Sequence, residues 1–199
     1  MNKPEELVDV LEVPAAAVET AQGLSTWSLD GAHSSAAFTV RHMMITNVKG
    51  DFNELSGTLK LDRTHIENSS VNVTINPASI NTHEAGRDAH LKSADFFDVE
   101  KFPEITFVSS KWAHKSDDEI YVTGNLTMHG VTKEVVLTVE GPTQEIVDPY
   151  GQTKVGFSAT TKVNREDFGL GWNAVLEAGG VAVSKEVKIS IDAAFVKSV

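Results

Sequence analysis

The chain has 199 residues, with 17 Lys and Arg against 28 Asp and Glu, a formal net charge of −11. The length fits one domain, the 41% hydrophobic content suffices for a core, and the acidic balance works against nucleic acid or an anionic membrane surface as the main partner. Cysteine is absent, which removes disulfide frameworks, Cys-bearing zinc or iron–sulfur sites and thiol catalysis together. No apolar run approaches the ~20 residues that span a bilayer, so no transmembrane anchor is expected. The first 24 residues hold no h-region of a signal peptide. The expected location is therefore cytoplasmic, or periplasmic if the natural chain starts further upstream.

Residues 1–24 are acidic, with Glu5, Glu6, Asp9, Glu12 and Glu19 against Lys3, and contain Pro4 and Pro14. They read as a flexible N-terminal extension, although Leu7, Val8 and Leu11 have the spacing of one helical face. The remaining domain, 25–199, is dominated by period-two alternation from Trp27 onward. Strands are predicted around Phe38 and Val40, over Gly57–Leu61, Val71–Ile75 and Ile105–Phe107, and over Val122–Met128, Val135–Val139, Val155–Val163 and Val187–Phe195. Each presents one apolar and one polar face. Turns are predicted at Asn47–Asp51, Asp62–Ser69, His114–Glu119 and His129–Gly130, with a long connection at Gly141–Gln152. Two stretches break the period: Glu84–Ser93, rich in helix formers, and Arg165–Gly171, a helical turn ended by glycine. About eight antiparallel strands with one apolar face each can close into a barrel, which removes the sheet edges. Such a barrel either fills its interior or holds one small ligand. Ala37, Gly124, Gly156 and Ala159 are small candidates for the lumen side and are compatible with a cavity.

Four stretches are more specific than alternation. The first runs Trp27-Ser-Leu-Asp30-Gly-Ala-His33 to Phe38-Thr-Val40-Arg-His42. The second runs Arg87-Asp88-Ala-His90-Leu91 through Phe96-Phe97 to Phe102-Pro103-Glu-Ile105-Thr-Phe107. The third is Gly124-Asn-Leu126-Thr127-Met-His129-Gly130, and the fourth Asn164-Arg165-Glu-Asp167-Phe168-Gly169. Together, over Trp27 to Val196, they resemble the YceI-like family of polyisoprenoid-binding, lipocalin-like proteins. The resemblance implies an all-β fold, an antiparallel eight-stranded lipocalin-like barrel with a short helix. It also implies a long apolar cavity for an isoprenoid or similar lipid chain, and a homodimer. Many members carry a signal peptide and work in the periplasm, and here the sequence departs from them.

An apolar chain needs a deep tunnel of aromatic and aliphatic groups. Phe38, Val40, Phe107, Leu126, Met128 and Phe157 have suitable strand parity to line it. Phe96, Phe97 and Phe102 follow the helix and read either as a gate or as a plug, and Trp172 reads as a mouth residue or an anchor. Arg87 and His90 are candidates for a polar head group, set against a structural network of Arg87 with neighbouring Asp residues. His33 is expected to satisfy backbone groups and His129 to sit in a turn. The ligand is expected to pass through Glu84–Phe102 or Gly141–Gln152. No cofactor, metal set or catalytic residue is assigned: His83 and His90 are too far apart to chelate from one helix, and neither a nucleophile elbow nor a P-loop occurs. Two rivals stand beside non-covalent lipid binding. One is a protein-interaction or dimerisation module with a filled barrel, and the other an enzyme with His90 or His129 as a base inside the cavity.

Overall fold

Alternation produces twelve antiparallel strands in the computed structural model, which describes residues 23–116, 118–175 and 180–198. They are β1 (Leu24–Leu29), β2 (Ser35–His42), β3 (Thr46–Phe52), β4 (Leu55–Asp62), β5 (Ser70–Ile75) and β6 (Ile80–Asn81), followed after helix α1 (Ala85–Lys92) by β7 (Ile105–His114), β8 (Glu119–Met128), β9 (Val131–Glu140), β10 (Ile146–Val147), β11 (Thr153–Asn164) and β12 (Val183–Lys197). Of the expected acidic extension, residues 1–24, positions 1–22 with its helical face lie outside the described residues, and Leu24 opens β1.

Eight strands close a ring in the order β1-β4-β5-β7-β8-β9-β11-β12, and β12 returns to β1. Closure rests on β12, 15 residues long, with apolar residues at alternate positions from Val187 to Phe195. One edge pairs with β11 along most of its length. The other edge is shared: Phe195 lies opposite Leu29 of β1, while Ile191 and Val187 lie opposite Ala36 and Val40 of β2. Thus β2 stands outside the ring and, with β3 and β6, prolongs its wall; β10 borders β11. Each of the eight predicted strands is present, but the ring uses β1 where the sequence reading pointed to β2.

The turn expected at Asn47–Asp51 is instead strand β3. Its Asn, Gly and Asp resemble turn chemistry, yet Val48, Gly50 and Phe52 pair with Val40, Phe38 and Ala36. Gly50 is required by a close approach: a Cβ there would lie 2.6 Å from Phe38 Cζ. The actual turn is His42–Ile45, closed by Ile45 N–H donating to His42 O at 3.1 Å. The other predicted turns are found. At Asp62–Ser69 the Asp62 carboxylate accepts from Thr64 N and His65 N at 3.0 and 2.8 Å. The bond it accepts from the Asn68 amide, followed by these two, holds its pKa below the ordinary carboxylate value.

The helix matches its predicted span. Glu84 caps α1 by accepting from Gly86 N and Arg87 N at 2.9 and 2.6 Å, satisfying amides that a helix start leaves unpaired. The predicted turn at Arg165–Gly171 is a 3-10 turn, Arg165–Phe168, ended by Gly169 at φ 77°.

Two buried clusters occupy opposite ends of the barrel. Trp27, Leu61, Trp112, Val155, Phe157 and Phe195 plug one end, with edge-to-face contacts of Trp112 to Phe157 and Phe157 to Phe195 at 6.4 and 5.9 Å. Phe52, Ile80, Ile105, Met128, Phe168 and Leu170 form the second cluster, at the end covered by α1.

A candidate apolar binding cavity

Between the two clusters lies a cavity of about 240 Å³. The inward residues of the strands build its wall, and pleat geometry places them there: Val73 on β5, Phe107 on β7, Leu126 on β8, Leu137 on β9, Ala159 on β11 and Ile189 on β12. Leu91 of α1, with Phe96 and Phe97 after it, covers the helix end. The interior is therefore not filled, and the filled-barrel rival loses its premise.

Apart from Thr161 and Arg165, every lining residue is apolar. Thr161 turns its hydroxyl away and donates to Val136 O at 2.8 Å. Arg165 is only 4% exposed, and its guanidinium is spent on main-chain carbonyls. Nε donates to Ser184 O at 3.0 Å, Nη1 to Trp172 O at 2.9 Å and to Leu170 O, and Nη2 to Val183 O at 3.4 Å. Among the described residues no carboxylate forms an ion pair with it. Burial pushes its pKa down from the arginine value, though a guanidinium stays charged. Arg165 thus clamps the 165–172 loop to the start of β12 while its stem joins the apolar wall. In the plug, Trp112 Nε1 is buried without a partner among the described residues, a cost of about 1–3 kcal/mol. The wall can recognise a guest by shape and by removal of apolar surface from water, with few polar groups to fix orientation.

Of the residues singled out in the sequence, Phe38, Val40, Phe96, Phe97, Phe107, Leu126, Met128 and Phe157 line this cavity. Arg87, His90 and Trp172 do not. Arg87 donates from Nε to Thr82 Oγ1 at 2.7 Å and from Nη2 to Thr82 O at 2.9 Å, and Asp88 accepts from the same Thr82 hydroxyl. The expected Arg–Asp network therefore exists, but it runs through Thr82. His90 Nε2 lies 2.9 Å from Asp95 Oδ2, and its ring stands edge-on to Phe96 and Trp172 at 5.1 and 4.8 Å. His90 and Trp172 thus back Phe96 from outside. Phe102 lies against His129, 4.6 Å between centroids, so Phe96 and Phe97 alone of the three reach the cavity.

Of the small lumen candidates, Ala37 and Ala159 line the cavity. Gly124 does not, because the Phe107 ring occupies the place its Cβ would take, 2.5 Å away. Gly156 lies beside Thr143, with its N–H donating to the Thr143 hydroxyl at 2.9 Å; its parity is opposite to that of Phe157 and Ala159, so it faces outward. Of the two expected routes, Glu84–Phe102 borders the cavity. Gly141–Gln152 lies at the plugged end and contributes no lining residue, and Arg63 ties it down by donating to Thr143 O at 2.7 Å.

No histidine lines the cavity. His129, at φ 52°, is the expected turn residue and meets Phe168 O at 3.2 Å. His33 meets Asp30, not the backbone, with Nδ1 to Oδ2 at 2.9 Å. Asp30 also accepts from Lys154 Nζ at 2.9 Å, chiefly for which reason its pKa is held below the carboxylate range. The Arg165 clamp escaped sequence reasoning because the carbonyls it serves carry no side-chain signature. Phe52 and Leu91 were missed because one directly follows a supposed turn and the other lies in a helix read by propensity.

A model of the YceI-like domain matches residues 27–195. A UPF0312 protein of Staphylococcus aureus is 38% identical over 174 residues, 86% of this chain and 98% of that one. Among solved structures, BcnA of Burkholderia cenocepacia superposes with a TM-score of 0.73 at 25% identity, over 83% of this chain and 98% of its own. The YCEI protein of Campylobacter jejuni gives 0.68 at 31% identity, over 79% and 90%. A polyisoprenoid binding domain from Saccharophagus degradans, implicated in plant cell wall breakdown, gives 0.63 over 88% and 99%; at 16% identity it speaks for the fold alone.

Proposed function

The chain belongs to the YceI-like family, and from that premise we propose that it binds an isoprenoid or related long-chain lipid non-covalently in the barrel cavity, as a carrier or store. One observation carries the reading: a cavity closed at one end by aromatic residues and walled almost wholly by apolar groups. Such a wall gains about 25 cal/mol for each Å² of apolar guest surface it covers. It offers a charged or hydrogen-bonding substrate nothing in exchange for lost water. The polyisoprenoid binding domain from Saccharophagus degradans shares the fold.

At about 240 Å³, the space lies below the roughly 300–1,000 Å³ of ordinary ligand pockets. A long chain therefore enters as one segment, and Phe96 and Phe97 move aside to admit more of it. The head stays at the helix end, outside the apolar wall. Binding without catalysis, a homodimer and a cytoplasmic location complete the proposal. The test is native mass spectrometry of freshly purified protein followed by organic extraction. An added mass that extracts as a long-chain lipid supports the reading. A protein that stays at its sequence mass even after incubation with polyprenyl alcohols refutes it.

A further inference from the structure

We propose that the tip of the β2–β3 hairpin inserts into a lipid bilayer surface and seats the cavity mouth on it; the purpose of this docking rests on the lipid-binding reading, while the docking itself does not. Met43 and Met44 both adopt left-handed backbone, at φ 48° and 61°, as the two central residues of the His42–Ile45 turn. A tight hairpin turn of this kind strongly favours Asn-Gly, because at positive φ a Cβ crowds the following carbonyl oxygen, a cost that Gly avoids and Asn tolerates. Here the two positions carry long apolar side chains, and Ile45 follows. All three face water: Met43 is 41%, Met44 60% and Ile45 74% exposed. Backbone strain at Met43 and Met44 thus coincides with apolar surface exposed from Met43 to Ile45.

The tip stands beside the cavity. Val183, a lining residue, lies opposite His42. Met43 N–H donates to Ala182 O at 2.7 Å, and Ala182 N–H to Ala174 O at 2.9 Å. Val175, 87% exposed, therefore belongs to the same rim. Charge distinguishes the occupant. The chain carries a net −11, yet no Asp or Glu occurs between Gly31 and Gly50, while Arg41, His42 and Lys49 do. Arg41 is exposed, with Nε donating to Met44 O at 3.1 Å, so a cation sits at the base of the apolar tip. Apolar residues at the point and cations behind them match a lipid surface with anionic headgroups. The rest of the acidic molecule is repelled by that surface, which leaves this hairpin as the approach.

The experiment floats full-length protein with vesicles of phosphatidylcholine and phosphatidylglycerol. The variant is M43N/M44G/I45T, which gives the turn the residues it prefers and so retains the fold. Wild type rises with the vesicles; the variant partitions about tenfold less or weaker and melts no lower than wild type. Equal loading of both proteins with polyprenyl alcohol delivered from detergent assigns the lost flotation to the tip and leaves the cavity reading intact. Absent loading with normal flotation would sink the lipid-binding reading while the docking stands. The proposal is overturned if the variant floats like wild type or if neither protein floats. It is equally overturned if wild type is a lipid-free dimer that these substitutions convert to a monomer.

Discussion

Replacing Leu126 with Trp asks directly whether the cavity holds the guest. Leu126 lies opposite Phe107, and both face the lumen. Empty apolar space costs about 24 cal/mol per Å³, so a cavity of about 240 Å³ sets a ceiling of about 6 kcal/mol on what filling it returns. At about 2–4 °C per kcal/mol for a chain of this size, the ceiling is roughly 12–24 °C. Ordering the ligand removes part of that gain, and the expected rise on saturation with a polyprenyl alcohol is about half, roughly 6–12 °C. An indole at position 126 fills part of the space and obstructs the chain's path along it, so the rise in Leu126→Trp falls below about half the wild-type value. Overpacking strain of about 1–3 kcal/mol is offset by the filled void, and the unliganded variant melts close to wild type. Val136→Trp, on the exposed outer face of β9, keeps the full rise. The assay is thermal melting by circular dichroism with and without the alcohol. A folded Leu126→Trp showing the whole wild-type rise would refute the assignment of the guest to this cavity.

Other expectations concern the frame around the cavity. Leu61→Ala, at a fully buried site in the plug, destabilises by about 2–5 kcal/mol, read from urea unfolding. Arg165→Met strips donors from four carbonyls and costs about 3 kcal/mol; hydrogen exchange then rises first at Leu170 and Trp172, and uniform protection across the chain would contradict the clamp. Lys154 hydrogen-bonds Asp30 and Asp148, lowering Asp30 from its ordinary 3.8. A depressed carboxylate pKa contributes stability that is present above the ordinary value and lost as pH falls through the lowered one. Wild-type urea midpoints therefore decline below about pH 4, and Lys154→Met flattens that decline; the same acid slope in both proteins would show that the ammonium is not its source.

Much of this architecture was legible because strands write their faces in alternate residues. Val187, Ile189, Ile191, Ala193 and Phe195 predicted β12 and its one apolar face, and Glu84–Ser93 predicted α1 by its helix formers. The legible part ends where one residue type serves two purposes. Gly50 and Asp51 read as a turn because glycine and aspartate favour turns, yet Gly50 is there to admit the Phe38 ring. Alternation likewise announces a strand without naming its neighbour, so β2 was placed in a ring that β1 completes. Arg87 and His90 are head-group candidates in sequence because a guanidinium fork suits phosphate or carboxylate oxygens. The neighbouring Asp residues signal the network that holds them, but Thr82, through which it runs, carries no signal of its own, and the cation beside the wall, Arg165, is committed to carbonyls that every residue possesses.

The shared edge of β12 also has a temporal meaning. β1 cannot take its place beside Phe195 until nearly all the intervening chain has been synthesised, so during translation the nascent sheet is an open trough with its greasy side uncovered. Sealing it is a long-range event, of the kind that makes β topologies slow to fold and prone to association while they wait. The same strand that shelters a guest in the finished molecule is thus the step at which a newborn chain depends most on dilution or on a chaperone.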